Sequence, residues 1–167
     1  MPFRPLQKVC SPQCAAEIVR IARMKQERKE LREAKQKVKS RSQWLKEAQV
    51  EFNRYIRLRD EDKPCISCGR FHSGQYHAGH YRSVGSTPEL RFHEANVFKQ
   101  CAPCNNFLSG NIVEFRRNLI GLLGAEMVDW LEGPHEPLHL TIPEIQAIKT
   151  KYKALCNELL KKRKDAA

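Results

Sequence analysis

No apolar run in the 167 residues approaches the roughly 20 that a membrane-spanning helix needs. Nor does a basic-then-apolar secretory leader open the chain. These absences argue against a membrane or exported protein, and the expectation is a soluble, cytoplasmic one. Acidic residues are also scarce, 19 against 30 Lys and Arg, for a net charge of +11. The excess is concentrated: residues 20–41 carry ten Lys or Arg against three Glu. Such a balance speaks to partners more than to fold, and nucleic acid is the leading one, because Lys and Arg displace counterions condensed on phosphates. The basic stretch lacks the Trp- and Phe-rich face of a membrane-surface helix, which disfavours a lipid partner. No internal repeat is present.

What is there suits one domain with appendages. Hydrophobic residues make up 41% and charged residues 29%, enough for a modest core. Residues 1–39 read as a Pro-rich start ending in "CSPQC", then a polar, basic helical arm from about Ala15 to Lys39. Its apolar positions Ile18, Ile21, Leu31 and Val38 are too sparse for a core face. Within residues 40–64, Trp44, Leu45, Ala48, Phe52, Tyr55 and Ile56 recur at helical spacing, predicting an amphipathic docking helix. Ser42 is its expected N-cap and Lys63-Pro64 its expected stop. Residues 65–115 are broken by Gly, Ser and Pro and suit knuckles and short strands, with "NVFKQ" a candidate strand. Residues 116–167 are helical with a basic tail, and "TIPE" matches a capping box with Thr141 as N-cap.

Seven cysteines include two Cys-x-x-Cys pairs, Cys65/Cys68 and Cys101/Cys104. Each pair can present both sulfurs to one ion, and four thiolates close a tetrahedral zinc shell; iron suits the same donors. The 32 residues between the pairs exceed a compact zinc ribbon. They hold His72, His77, His80, His93 and Asn96. With sulfur saturating the metal, these histidines are not required as ligands. His72, His93, His135 and His139 read as ordinary surface or hydrogen-bonding residues. His80 follows a glycine and shares its local unit with Asn96 and Asn105, an imidazole able to take a proton beside amide oxygens able to meet a hard cation.

The order Cys-x-x-Cys, His, Asn, Cys-x-x-Cys-Asn resembles the HNH nucleases, the ββα-metal family. More closely, "PCISCG", "AGHYR", "LRF", "QC", "CN" and "SGN" resemble the phage lambda NinG/Rap recombination endonucleases, over roughly residues 40–165. The resemblance implies an α+β fold: a small zinc-bound ββα-metal core flanked by helices, with the basic helical arm at the N-terminus. It implies a metal-dependent, structure-specific endonuclease that hydrolyses phosphodiesters in branched recombination intermediates such as Holliday junctions and D-loops. A phage-encoded enzyme of this kind acts in the bacterial host's cytoplasm, beside host or phage recombination proteins.

By the same resemblance, His80 is the general base, Asn96 pins the loop that bears it, and Asn105 binds the catalytic Mg²⁺ or Mn²⁺. Cys65, Cys68, Cys101 and Cys104 hold structural zinc. By position in the chain, Arg82 is either placed to touch the scissile phosphate or simply a solvated arginine, Arg116 and Arg117 are candidates to track the backbone, and Arg28, Lys29, Arg32 and Lys35 of the arm would add sequence-independent affinity. An isologous homodimer is the economical way to cut a two-fold junction twice.

Two departures stand out. Many HNH enzymes carry an acidic ligand immediately before the base, where this chain has Gly79. Lambda-type sequences place an acid where this chain has His77, which makes His77 a candidate ligand better suited to Mn²⁺ than to Mg²⁺. These relatives also carry a cysteine pair upstream of the one resembling Cys10 and Cys14, so that pair reads as a remnant knuckle or as half of a zinc site shared in a dimer. The competing reading is a non-catalytic, zinc-dependent binder of branched DNA.

Overall fold

The computed structural model describes residues 11–165, so the Pro-rich start and Cys10 lie outside the described residues. The chain divides into two units, Met1–Ser40 and Arg41–Ala167. In the first, helix α1 spans Pro12–Lys37, with the Ser11 hydroxyl accepting the Cys14 N–H and Pro12 in the first turn. It buries no residue, and Arg20–Glu17 and Arg23–Glu27 pairs lace its surface. This is the solvated basic helix that the sparse apolar pattern predicts. Cys14 is half-buried.

The second unit is mixed α and β, mostly helical. Helix α2 (Arg41–Arg59) turns Trp44, Ala48, Phe52 and Ile56 inward. Strands β1 (Tyr76–His80) and β2 (Val97–Cys101) pair antiparallel, with His77 opposite Gln100, Gly79 opposite Phe98 and His80 opposite Val97. A π-helical turn at Pro103–Phe107 leads to α3 (Ile112–Leu123), α4 (Ala125–Glu132) and α5 (Ile142–Asp165). Among the described residues, no helix is long and apolar enough to cross a membrane.

Strand alternation places the two-stranded sheet between two helical layers. Val97 packs with Phe52, Ile56 and Tyr152 from α2 and α5. Its neighbour Phe98 points the other way, into Tyr81, Phe115, Leu119, Val128 and Leu131 on the α3–α4 side. Every residue of β2 is therefore buried. Since α3 runs through residue 116 and Phe115 and Leu119 share one core, the break expected after residue 115 falls inside a helix.

Both ends of the docking helix lie further toward the N-terminus than expected. Arg41, whose Nε donates to the Leu140 carbonyl at 2.8 Å, is already helical, so Ser42 sits in the first turn and is not the cap. At the other end the helix stops at Arg59, before Lys63-Pro64, because Asp60 turns inward. The Asp60 carboxylate is fully buried, takes bonds from Arg59 and Lys63, and accepts the Lys99 backbone N–H of β2 at 3.2 Å. Burial works to raise its pKa, but the two cations overcome that and hold it below the ordinary carboxylate value. Arg59 also donates to the Val97 carbonyl at 2.9 Å, so adjacent residues fasten α2 to the central strand. At α5, Glu144 accepts the Thr141 backbone N–H at 2.7 Å, the reach-back half of the expected capping box.

Phe52 meets Tyr152 and Phe92 edge-on, with ring centroids 4.8 and 5.6 Å apart. It is fully buried where α2, α5 and the sheet converge. Phe52→Ala is expected to cost about 3–5 kcal/mol in chemical denaturation, because no neighbouring element can collapse into the space.

Candidate functional site

The Sγ atoms of Cys65, Cys68, Cys101 and Cys104 all lie within 4.8 Å of one another. Two tight turns make this convergence. In the first, the Gly69 N–H bonds the Cys65 carbonyl at 2.9 Å, and Gly69 takes the left-handed φ of 66° that closes it. The Ile66 N–H ties this turn to the Lys99 carbonyl of β2 at 3.0 Å. The second turn begins at the end of β2 and runs into the π-helical turn, where the Gly110 N–H bonds the Cys104 carbonyl at 2.9 Å. Burial pushes the Cys101 thiol up to about 12 and raises Cys104 as well. Buried sulfurs this close cannot carry shared negative charge without a cation. The donor set therefore fits one ion such as zinc, with no histidine needed.

His72, expected to be an ordinary surface or hydrogen-bonding residue, has Nε2 3.2 Å from the Cys68 sulfur. Its backbone N–H is held by the Tyr76 hydroxyl. The Asn111 amide approaches the Cys104 sulfur at 3.7 Å. In a metal-bound cluster such outer partners would orient the cysteine ligands, and the sequence signal for them was only their closeness to the cysteines.

His80, Arg82, Asn105, Ser109, Gly110 and Ile112 line a cleft of about 610 Å³, ample for a phosphodiester with an ion and water. His80 ends β1 and is half-buried; its Nε2 lies 3.0 Å from the Arg91 carbonyl. A carbonyl only accepts, so Nε2 carries the proton and Nδ1 is left with the lone pair. Burial is the main cause that lowers the His80 pKa below the ordinary value; the Arg91 and Ala78 backbone groups oppose it, and the Arg91 charge adds to it. The imidazole is thus held neutral at physiological pH.

Asn96 is fully buried at the far end of the 81–96 loop. Its Oδ1 accepts the Arg82 N–H at 2.8 Å, and its Nδ2 donates to the carbonyls of Arg82 (3.0 Å) and Leu90 (3.2 Å). Its own carbonyl takes the Tyr81 N–H at 2.8 Å. One side chain closes the loop immediately after His80. Asn105, one residue beyond Cys104, gives its Nδ2 to Asn106 at 2.7 Å, leaving its amide oxygen for the cleft.

Among the other expected site residues, His77 and Arg116 are placed differently. His77 and His80, three apart in one strand, project from opposite faces of β1, and His77 is not among the cleft residues. The His77 Nε2 is buried without a hydrogen-bond partner. Arg116 is half-exposed and already paired: it grips Glu132 with bonds of 2.8 and 3.1 Å, and the Tyr81 hydroxyl donates to the same carboxylate. Arg116 first, then Tyr81, hold the Glu132 carboxyl down to about 2. Arg117 is exposed and pairs with Glu114. Arg28, Lys29, Arg32 and Lys35 are exposed along α1.

Gly79 has a structural reason. A Cβ there would lie 2.1 Å from the Gln100 amide oxygen and 2.9 Å from its Cδ. Gln100 cannot easily yield, because its Nε2 is fixed to Ser67 Oγ at 2.6 Å and to the Gly110 carbonyl at 2.5 Å. The buried Gln100 bridge, which sequence reasoning missed, joins the sheet, the first cysteine turn and the cleft wall. Gly79→Asp is expected to destabilise the fold by about 1–3 kcal/mol through overpacking, measured by denaturant unfolding. Metal analysis of purified protein should find about one zinc per chain, and Cys104→Ser should lose it.

A protein-family model, described as "Bacteriophage Lambda NinG protein", matches residues 1–163. The chain is 40% identical to Protein ninG of Escherichia phage lambda, over 95% of this chain and 86% of that protein. Protein ninG of Salmonella phage P22 is 39% identical, over 95% and 87%. Protein ninG of Escherichia phage 933W is 47% identical over 78% of this chain and 65% of its own length. No solved structure matches. The chain belongs to the NinG family of bacteriophage proteins.

Proposed function

We propose that this protein is a metal-dependent DNA endonuclease of the HNH, ββα-metal type, acting on branched recombination intermediates. The observation that carries the reading is the cleft itself: a neutral, tautomer-fixed His80 facing Asn105 across a space with no Asp or Glu among its lining residues. The hairpin, the turn after Cys104 and α3 follow one another in the strand–strand–helix order that name describes.

In this reading a backbone phosphate enters the cleft between Arg82 and Asn105. His80 Nδ1 takes a proton from water as the oxygen attacks phosphorus in line, and the 3′-oxygen leaves. Arg82 has Nε buried without a hydrogen-bond partner, and it offers a cation to the phosphate. Asn96 keeps the main chain at Arg82 fixed while this happens. A divalent ion such as Mg²⁺ or Mn²⁺, with the Asn105 amide oxygen and the substrate phosphate among its ligands, would supply positive charge to the pentacovalent transition state. The products carry 5′-phosphate and 3′-hydroxyl ends. Exposed cations on α1 add salt-dependent, sequence-independent affinity. Because the expected acidic ligand is replaced by Gly79, a junction binder without cutting activity is the second reading.

Purified wild type and His80→Ala, given branched and linear DNAs with Mg²⁺, Mn²⁺ or chelator, separate the two. The nuclease reading expects metal-dependent cutting of branched DNA by wild type alone, with binding retained by the variant. Binding without cutting by wild type favours the second reading, and robust cutting by His80→Ala removes His80 from the chemistry. The base must be neutral and burial lowers its pKa, so the cleavage rate should climb with pH through a midpoint below the ordinary histidine value of about 6.5 and then level off.

A further inference from the structure

The surface from Phe107 to Val113 is unusual for a charged protein. All four of its large apolar side chains face solvent: Phe107 and Val113 at 80% exposure, Leu108 at 57% and Ile112 at 40%. An exposed apolar ridge of this kind usually marks an interaction site.

The backbone beneath the ridge is rigid. Leu108 N–H bonds the Pro103 carbonyl at 3.1 Å, and Asn111 N–H bonds the Leu108 carbonyl at 2.7 Å. The Gly110 carbonyl receives both Ser67 Oγ and Gln100 Nε2. Ser109, Gly110 and Asn111 are all left-handed, with φ of 48°, 86° and 44°. Two of these are not glycine, a conformation that persists only where surrounding bonds over-determine it. A surface held this firmly loses little freedom when something packs on it.

The ridge is also continuous with the cleft. Asn105, Ser109, Gly110 and Ile112 form the cleft wall; Val113 directly follows Ile112, and Phe107 lies two residues from both Asn105 and Ser109. Whatever seats a phosphate beside His80 therefore passes within a residue or two of the exposed apolar side chains. Arg82 and the absence of acid among the cleft residues favour a polyanion there. A partner that is polyanionic along its backbone and apolar on its flat faces is a nucleic acid with an unstacked base. Self-association is less well matched: four partly exposed side chains fall short of the roughly 800 Å² per partner of a stable interface.

Resting on the nuclease reading of the cleft for its substrate, we propose that the Phe107–Val113 ridge is a wedge that packs against nucleobases at a DNA branch point. Bases beside a branch or mismatch are the cheapest to unstack, and apolar side chains in other DNA-binding proteins insert at such steps. The wedge then supplies a preference for branched over linear DNA that phosphate contacts alone do not.

The test uses the full chain in a His80→Ala background, so that substrate stays intact, and a four-way junction carrying 2-aminopurine at the crossover. Binding should raise 2-aminopurine emission. Phe107→Ser should remove most of that rise and weaken junction binding about tenfold or more, leaving linear-duplex affinity unchanged. Val113→Ser, on a different element, should act in the same direction, so misfolding of one variant does not decide the outcome. Emission that is unaltered by both substitutions overturns the wedge. So does a dimer in sedimentation that Phe107→Ser dissociates with emission unchanged, since the ridge is then a self-association surface.

The two proposals fail separately. A wild type that does not cut, but opens the branch through Phe107, sinks the nuclease reading and keeps the wedge. One that cuts with Phe107-independent emission does the reverse. A chain that does not bind the junction sinks both.

Discussion

Four cysteine sulfurs within 4.8 Å of one another, a set that fits one ion such as zinc, gather the hairpin and the two turns beside it at one point. A hairpin of two five-residue strands is marginal alone. Here its second strand ends inside the cysteine cluster, and the Cys65–Cys68 turn is bonded along that strand. The helical layers then have a fixed sheet to pack on, α2 and α5 on one face and α3 and α4 on the other. The same cluster sets the cleft wall. Asn105 follows Cys104 directly, the Gly110 N–H bonds the Cys104 carbonyl, and Asn111 reaches the Cys104 sulfur. Metal in the cluster and geometry in the cleft are thus one problem.

Against that wall, the strand and loop present a single poised imidazole. Burial keeps His80 neutral, the Arg91 carbonyl selects its tautomer, and the buried Asn96 amide closes the loop that follows. None of these contacts involves a flexible surface group. The price of this arrangement is space: Gln100 lies over the strand so closely that only glycine fits at position 79. In the proposed mechanism the carboxylate usually found there is absent because the amide that braces the cleft wall fills its place.

Local signals in the sequence were readable wherever the cause was local. The helical spacing of Trp44, Ala48, Phe52 and Ile56 marked the buried face of α2, the "NVFKQ" run marked β2, and Thr141–Glu144 marked the start of α5. The cysteine spacing marked the cluster. What was not legible depends on partners distant in sequence. Asp60 ends α2 early because it bonds Lys99, and the Arg116 guanidinium is engaged by Glu132 on the next helix. Gln100 looks like any strand residue until Ser67 and Gly110 are seen beside it. His77 and His80 read as a pair in the sequence, yet strand alternation sends them to opposite faces.

The central claim is that the His80 imidazole acts as a base on a DNA phosphodiester, and chemical rescue tests it most directly. His80→Gly leaves a space for free imidazole without changing the loop bonds made by Asn96. Single-turnover cleavage of a four-way junction in Mn²⁺ should be lost in His80→Gly and return with added imidazole, in proportion to its neutral fraction. Undiminished cutting by His80→Gly without imidazole would contradict the account.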